Sequence, residues 1–256
     1  MDARNYRMTV AYDGTAYSGF QIQVDRPTIQ GELEEALARL TTKPVRVHGA
    51  GRTDAGVHAQ GQVISFRAEW RHSIEDLQRG MNALLPPDVA VRESAEAPER
   101  FHARYSAKSR EYRYKLYIAP VREPLLDRYA HHLGRPVGWA AMEQASASLV
   151  RQADFAAFGQ APNGEGTVRT IYEAGWRQRS LAWGCGQTIE MGEFRIIANG
   201  FLRGMVRRIV GTLIDVGSGA LDPGGFDNIL GAREIRRASP PAAACGLSLW
   251  HVEYGS

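Results

Sequence analysis

A chain of 256 residues with 44% apolar and 23% charged side chains has material for a substantial buried core and too little polarity for long disorder. Its two cysteines, Cys185 and Cys245, stand far apart and outside any paired metal-binding pattern, so neither a disulfide scaffold nor a metal site is expected and both thiols are read as reduced. The start, Met1 to Arg7, has no apolar signal core and no later run approaches membrane-spanning length, which predicts a cytoplasmic protein with no membrane attachment.

Met8–Tyr12 reads as a strand, and Asp13-Gly14-Thr15 as the turn that follows it. After Pro27 and a capping Thr28, apolar residues at Ile29, Leu33, Ala36, Leu37 and Leu40 make the buried stripe of a helix. Val45–His48 and Gln62–Phe66 are strand-like. A second helix runs from the cap Ser73 through Ile74, Leu77, Met81 and Leu84 until Pro86-Pro87 ends it. Further on, Glu111–Ile118 alternates as a strand, Trp139–Val150 is a helix, and Arg169–Arg177 and Thr188–Ala198 are strands. A strongly apolar helix from about Gly200 to Val216 and a strand, Ser248–Tyr254, complete the series. Strands and helices alternate with connections short enough for hairpins, which predicts an α+β fold of two pseudo-repeated α/β halves with largely antiparallel sheets. The expected division is 1–105 and 106–256, without a Pro/Gly/Ser-rich linker.

Net charge is only +3, but its distribution is uneven. Between Arg100 and Lys115 six basic residues (Arg100, Arg104, Lys108, Arg110, Arg113, Lys115) face one acid, Glu111, so this window carries +5 and the remainder of the chain −2. Exposed charges are screened within about 10 Å, so a concentrated patch attracts phosphate where a diffuse excess would not. A solvated basic face with no partner is the alternative for this window.

The most unusual stretch is Gly49-Ala50-Gly51-Arg52-Thr53-Asp54-Ala55-Gly56-Val57-His58. Its glycines permit tight turns and close approach of another molecule. Arg52 beside Asp54 could hold a carboxylate ionised and in place for work as a nucleophile or base. From physics alone, Asp54 also fits an Asx-turn or a helix cap. Arg203 and Arg207, four apart, are read on one flank of the apolar helix, opposite Leu202, Met205, Val206, Ile209 and Leu213.

Gly51-Arg52-Thr53-Asp54-Ala55-Gly56-Val57-His58 resembles the signature of the TruA family of tRNA pseudouridine synthases. Tyr12-Asp13-Gly14 with Gly19-Phe20-Gln21, Phe101-His102-Ala103-Arg104, Tyr112-Arg113-Tyr114, Met205-Val206-Arg207 and Gly246-Leu247 agree with that family in the same order. The resemblance implies isomerisation of uridine to pseudouridine at positions 38 to 40 of the tRNA anticodon stem-loop, with no cofactor and no metal. It implies two halves around a central RNA-binding cleft, Asp54 as catalyst, Arg52 helping to flip or replace the nucleotide, Tyr112 stacking on the uracil, Arg207 paired with Asp54, and a homodimer holding tRNA. Whether Asp54 attacks sugar or base, or removes a ribose proton, stays open. Without the family pattern, Tyr112 would read as a half-buried strand aromatic and Arg207 as a solvated helix arginine. His58 and His102 are assigned structural or RNA-contacting roles and not acid–base work. The chain departs from the commonest family form at Leu202-Arg203-Gly204, where histidines are frequent, and this leaves Arg203 without an assigned role. Two other readings are the same chemistry on other uridines or another RNA, and a non-catalytic RNA-binding module.

Overall fold

The computed structural model describes residues 2–161 and 166–255. In chain order its strands and helices are β1 (Arg4–Tyr12), α1 (Ile29–Thr41), β2 (His48–Gly49), β3 (His58–Ala68), α2 (Ile74–Leu84), β4 (Val89–Glu96), β5 (Ala107–Ile118), α3 (Pro124–Asp127), β6 (His131–Leu133), α4 (Trp139–Ala147), β7 (Gln152–Asp154), β8 (Val168–Trp183), β9 (Gln187–Ala198), α5 (Met205–Gly217), α6 (Pro223–Ala232) and β10 (Leu247–Tyr254). The content is mixed α and β with mostly antiparallel strand pairing, the expected α+β class. The chain divides into two compact units, one formed by residues 1–108 with 248–256 and the other by 109–247.

In the first unit β1 lies between β4 and β3, antiparallel to both, and β10 joins the other edge of β3 in parallel, through Ser248 opposite His58 and Leu249 opposite Ala59. Local signals set the two helices. The Thr28 hydroxyl accepts from the Gly31 N–H to start α1, and Ser73 forms a reciprocal capping box with Asp76 to start α2, a device worth about 1 kcal/mol. Ile29, Leu33 and Leu37 of α1 and Leu77 and Met81 of α2 are fully buried. The helices approach closely at Gly80, where a Cβ would stand 2.8 Å from Leu40 Cδ2. Of the predicted Val45–His48 strand only His48 pairs, and with Gly49 it forms the two-residue β2 opposite Ser65 and Ile64 of β3.

In the second unit β9 lies between β5 and β8, antiparallel to both, β7 continues from β8, and β6 runs parallel to β5. Buried residues of α5, among them Ile209, Val210, Leu213 and Val216, form its apolar side. α4 meets α5 where the Gly138 N–H donates to Gly217 O at 2.7 Å. Phe158 stacks on Phe226 of α6 at 5.5 Å between centroids. The sequence reading is corrected at the start of α5. Gly204 occupies the left-handed region at φ 71° and precedes the first helical residue, Met205, so residues 200–204 are not helical. Arg203 accordingly leaves the helix flank assigned to it; its N–H donates to Gln160 O at 3.1 Å in an isolated bridge and its side chain is exposed.

Candidate active site

Segment 50–57 links β2 to β3 and is held from below by buried side chains of the sheet. Gln62, completely buried on β3, grips Gly51 twice: its Nε2 donates to Gly51 O at 2.7 Å and its Oε1 accepts from Gly51 N at 3.3 Å. Tyr12, at the end of β1, places its hydroxyl 2.8 Å from Thr53 Oγ1 and 3.5 Å from Gln62 Nε2. Gln62 can only donate to that hydroxyl, which leaves the Tyr12 proton for Thr53. Burial raises the Tyr12 pKa to about 12, against the opposing pull of its bonds to Thr53 and Gln62, so the phenol is neutral wherever the enzyme works. Anchors at 51 and 53 therefore flank Arg52, which is exposed, and precede Asp54, which is half-buried.

A second layer comes from the segment after β1. Phe20 N–H donates to Thr53 O at 3.0 Å and Gly56 N–H to Tyr17 O at 3.3 Å, while Val57 N–H closes a turn onto Asp54 O at 3.1 Å. That turn uses Gly56 at φ 74°. Gly19, at φ 103°, lies so near that a Cβ on it would stand 2.7 Å from Thr53 O. His58 is buried at the head of β3 with its Nδ1 3.1 Å from Gly14 N and 3.1 Å from Asp13 Oδ1, where it ties the turn after β1 to the loop's exit.

The other two residues singled out from the sequence stand in the second unit. Tyr112 is on β5 opposite Ile196, 7% exposed, with its ring edge-to-face against Phe201 at 5.1 Å. Arg207 is half-buried in the first turn of α5. Its Nε donates to Ala242 O at 2.8 Å and its own carbonyl accepts from Ala242 N at 2.9 Å. The segment so held continues to Ala243, whose carbonyl accepts from Tyr114 at 3.0 Å, and to Gly246, where a Cβ would stand 2.6 Å from the Tyr114 ring.

The basic window is less uniform than its composition suggests. Glu111, 7% exposed, accepts from Arg113 at 2.7 Å and from Arg195 at 3.1 Å, and Arg113 also reaches Glu193 at 3.3 Å. Burial pushes the Glu111 carboxyl up, but the hydrogen bonds and charges of Arg195 and Arg113 together outweigh it and hold the group below its ordinary range. Arg113 thus serves an ion-pair network within the second unit. Gln62, Tyr12 and Glu111 were all missed as site or support residues by sequence reasoning, because no spacing along the chain announces a bond made across a sheet.

The loop thus holds a half-buried aspartate two residues from an exposed arginine, and the chain belongs to the tRNA pseudouridine synthase family, whose model matches residues 8–106 and 145–255. It is accordingly an isomerase. Asp54, Arg52 and Arg207 fall inside those matched spans and Tyr112 falls outside them. The chain is 44% identical over 251 residues to tRNA pseudouridine synthase A of Roseiflexus sp. (strain RS-1), covering 98% of this chain and 91% of the relative. It is 40% identical to the protein of that name from Exiguobacterium sp. (strain ATCC BAA-1283 / AT1b), covering 98% of each. With the one from Geobacillus kaustophilus (strain HTA426) the identity is 43%, over 96% of this chain and 92% of the relative.

Proposed function

We propose that this protein converts uridine to pseudouridine at positions 38 to 40 of the tRNA anticodon stem-loop, with Asp54 as the reacting carboxylate. The observation that supports this most directly is the double anchoring of the loop: Gln62 on Gly51 and Tyr12 on Thr53 fix the backbone immediately before Asp54. A carboxylate that must meet one atom of a bound nucleotide needs such pre-organisation, since a misplacement of about 1 Å can cost about a hundredfold in rate.

The reaction breaks the bond from uracil N1 to ribose C1′, turns the base and joins C1′ to C5. The hydrogen on C5 leaves and N1 gains one, so atoms and electrons balance without an external reagent. One carboxylate suffices because no water has to be activated, unlike glycoside hydrolysis, which commonly employs two. The target must leave its stack, and enzymes that act on such a base hold it by stacking and edge hydrogen bonds. In this reading exposed Arg52 takes the place of the displaced nucleotide, Tyr112 stacks on the uracil, and Arg207 supplies positive charge to the bound substrate. The protein works in the cytoplasm as a homodimer. Among the described residues no helix is long and apolar enough to cross a membrane.

Release of tritium from tRNA labelled at uracil C5, followed by mapping of the modified nucleotides, tests the proposal. Release confined to uridines 38 to 40 is expected. Binding of tRNA with no release would replace this reading with a non-catalytic one, and release at other uridines would replace the positions.

A further inference from the structure

The first unit carries a group of aromatic rings that the chemistry at Asp54 does not use. His48, at the edge strand β2, meets His102 in a tilted contact at 4.8 Å between centroids and 36° between planes, and His102 in turn meets Tyr105, also tilted, at 4.5 Å and 39°. The middle ring is locked in place. Its Nδ1 accepts from Arg104 N at 3.1 Å and from Tyr105 N at 3.4 Å, so the tautomer carries its proton on Nε2. Burial, then the neighbouring His48 and Arg104, keep His102 below its ordinary pKa, which leaves an uncharged ring between the other two. Tyr105, at one end of this staircase, is 75% exposed, and His48 at the other end is exposed as well. Arg104 lies beside the Tyr105 ring, its Cζ 5.6 Å from the centroid, and exposed Arg100 stands a few residues earlier.

We infer that Tyr105, backed by His102 and His48, is a stacking platform for an unpaired nucleobase of the bound tRNA, separate from the target uridine, with the flanking phosphate near Arg104. This rests on the reading of the protein as an enzyme acting on tRNA. Three physical features favour a nucleobase. The end ring is a large apolar surface left in water, the His102 ring beneath it is held from rotating away by two backbone N–H groups, and a cation sits at the rim and not on an apolar border. Every base has a π-face, and stacking on an aromatic side chain tolerates any sequence. A protein partner would more often be met by an aromatic anchor within a wider apolar patch, with charged residues depleted at its centre.

The test compares wild type, Tyr105→Phe, Tyr105→Trp and Tyr105→Ala in binding to an unmodified tRNA transcript. Melting temperature and sedimentation are recorded for each protein. Phe and Trp are expected to bind within about twofold of wild type, and Ala about tenfold or more weakly, as loss of a base-stacking contact predicts. The dependence of log affinity on log salt should be the same for all four, because no phosphate contact is removed. Unchanged affinity of a folded Tyr105→Ala variant would overturn the platform while leaving the proposed function standing, provided wild type releases tritium. Weakened binding that tracks a change in oligomeric state would also overturn it, in favour of a protein contact. Failure of wild-type protein to bind or turn over tRNA would instead remove the functional reading on which the platform rests.

Discussion

Gln62 and Gly51 are joined by two hydrogen bonds, one given and one taken, at 2.7 and 3.3 Å. Gly51 has no side chain to hold, so its position depends on its backbone groups, and a fully buried amide from the neighbouring strand satisfies both. Gln62→Leu preserves much of the volume and removes both bonds, along with the contact to the Tyr12 hydroxyl. The groups left unsatisfied should cost about 1 to 3 kcal/mol each, visible as a lower melting temperature. Beyond that, the turnover number is expected to fall by about a hundredfold with tRNA affinity nearly unchanged, because the loop loses the register that aims Asp54. A folded variant with wild-type turnover would reduce Gln62 to a purely structural role.

Asp54→Asn keeps the shape of the side chain and most of its hydrogen bonding while removing its charge and basic oxygen. Loss of such a group commonly costs about 10⁴-fold or more in rate. Tritium release should be abolished in a protein that melts like wild type. Affinity for tRNA should be retained, because the carboxylate itself repels phosphate. Near wild-type release would sink the assignment of Asp54.

Affinity for tRNA should fall steeply with salt, by about 0.7 to 0.9 log units per tenfold change for each phosphate neutralised. In the basic window Arg113 is engaged by Glu111 and Glu193, whereas Lys108 is exposed and Arg104 half-buried. Replacing Arg104 and Lys108 together by Glu should therefore flatten the slope by about one unit or more. An identical slope in the double variant would place the phosphate contacts elsewhere.

Glu111 predicts a specific acid response. Its folded-state pKa lies below the ordinary carboxylate value of 4.5, so its pairing with Arg195 and Arg113 stabilises the protein fully above that value. The contribution is lost as pH falls through the depressed value, since the native state must then take up a proton it resists. Glu111→Gln should melt lower than wild type at neutral pH, and the gap should narrow as the solution is acidified below about 4.5. A gap independent of pH would mean that the ion pairs do not govern this difference.

Where the chain carries its structural instruction locally, the sequence could be read. Thr28 and Ser73 announce α1 and α2 because a cap and the apolar period that follows lie within one short window. The start of α5 was misplaced because the apolar pattern runs back through Leu202, and nothing in the composition tells that Gly204 turns left-handed and releases Arg203 to bridge Gln160. Short elements such as α3, β6 and β7 offer too few residues for a period to show. At the site, the loop around Asp54 could be found from its glycines and its family likeness. Its supports could not: a buried glutamine on a strand looks like any polar interruption, and Glu111 looked like a lone acid in a basic run.

The parallel pairing of β10 with β3 has a consequence for how the enzyme comes into being. β3 emerges directly from the loop that holds Asp54, and its two long neighbours come from opposite ends of the chain. During synthesis β1, β2, the loop and β3 leave the ribosome early, and β2 covers Ile64 and Ser65 of β3, but the start of that flank at His58 and Ala59 stays unpaired until the second unit has been made. Closing that flank joins residues far apart in sequence, the kind of contact that forms slowly. The unit bearing Asp54 is thus completed last, and a nascent chain holding a finished loop still lacks the strand that pairs with the start of β3.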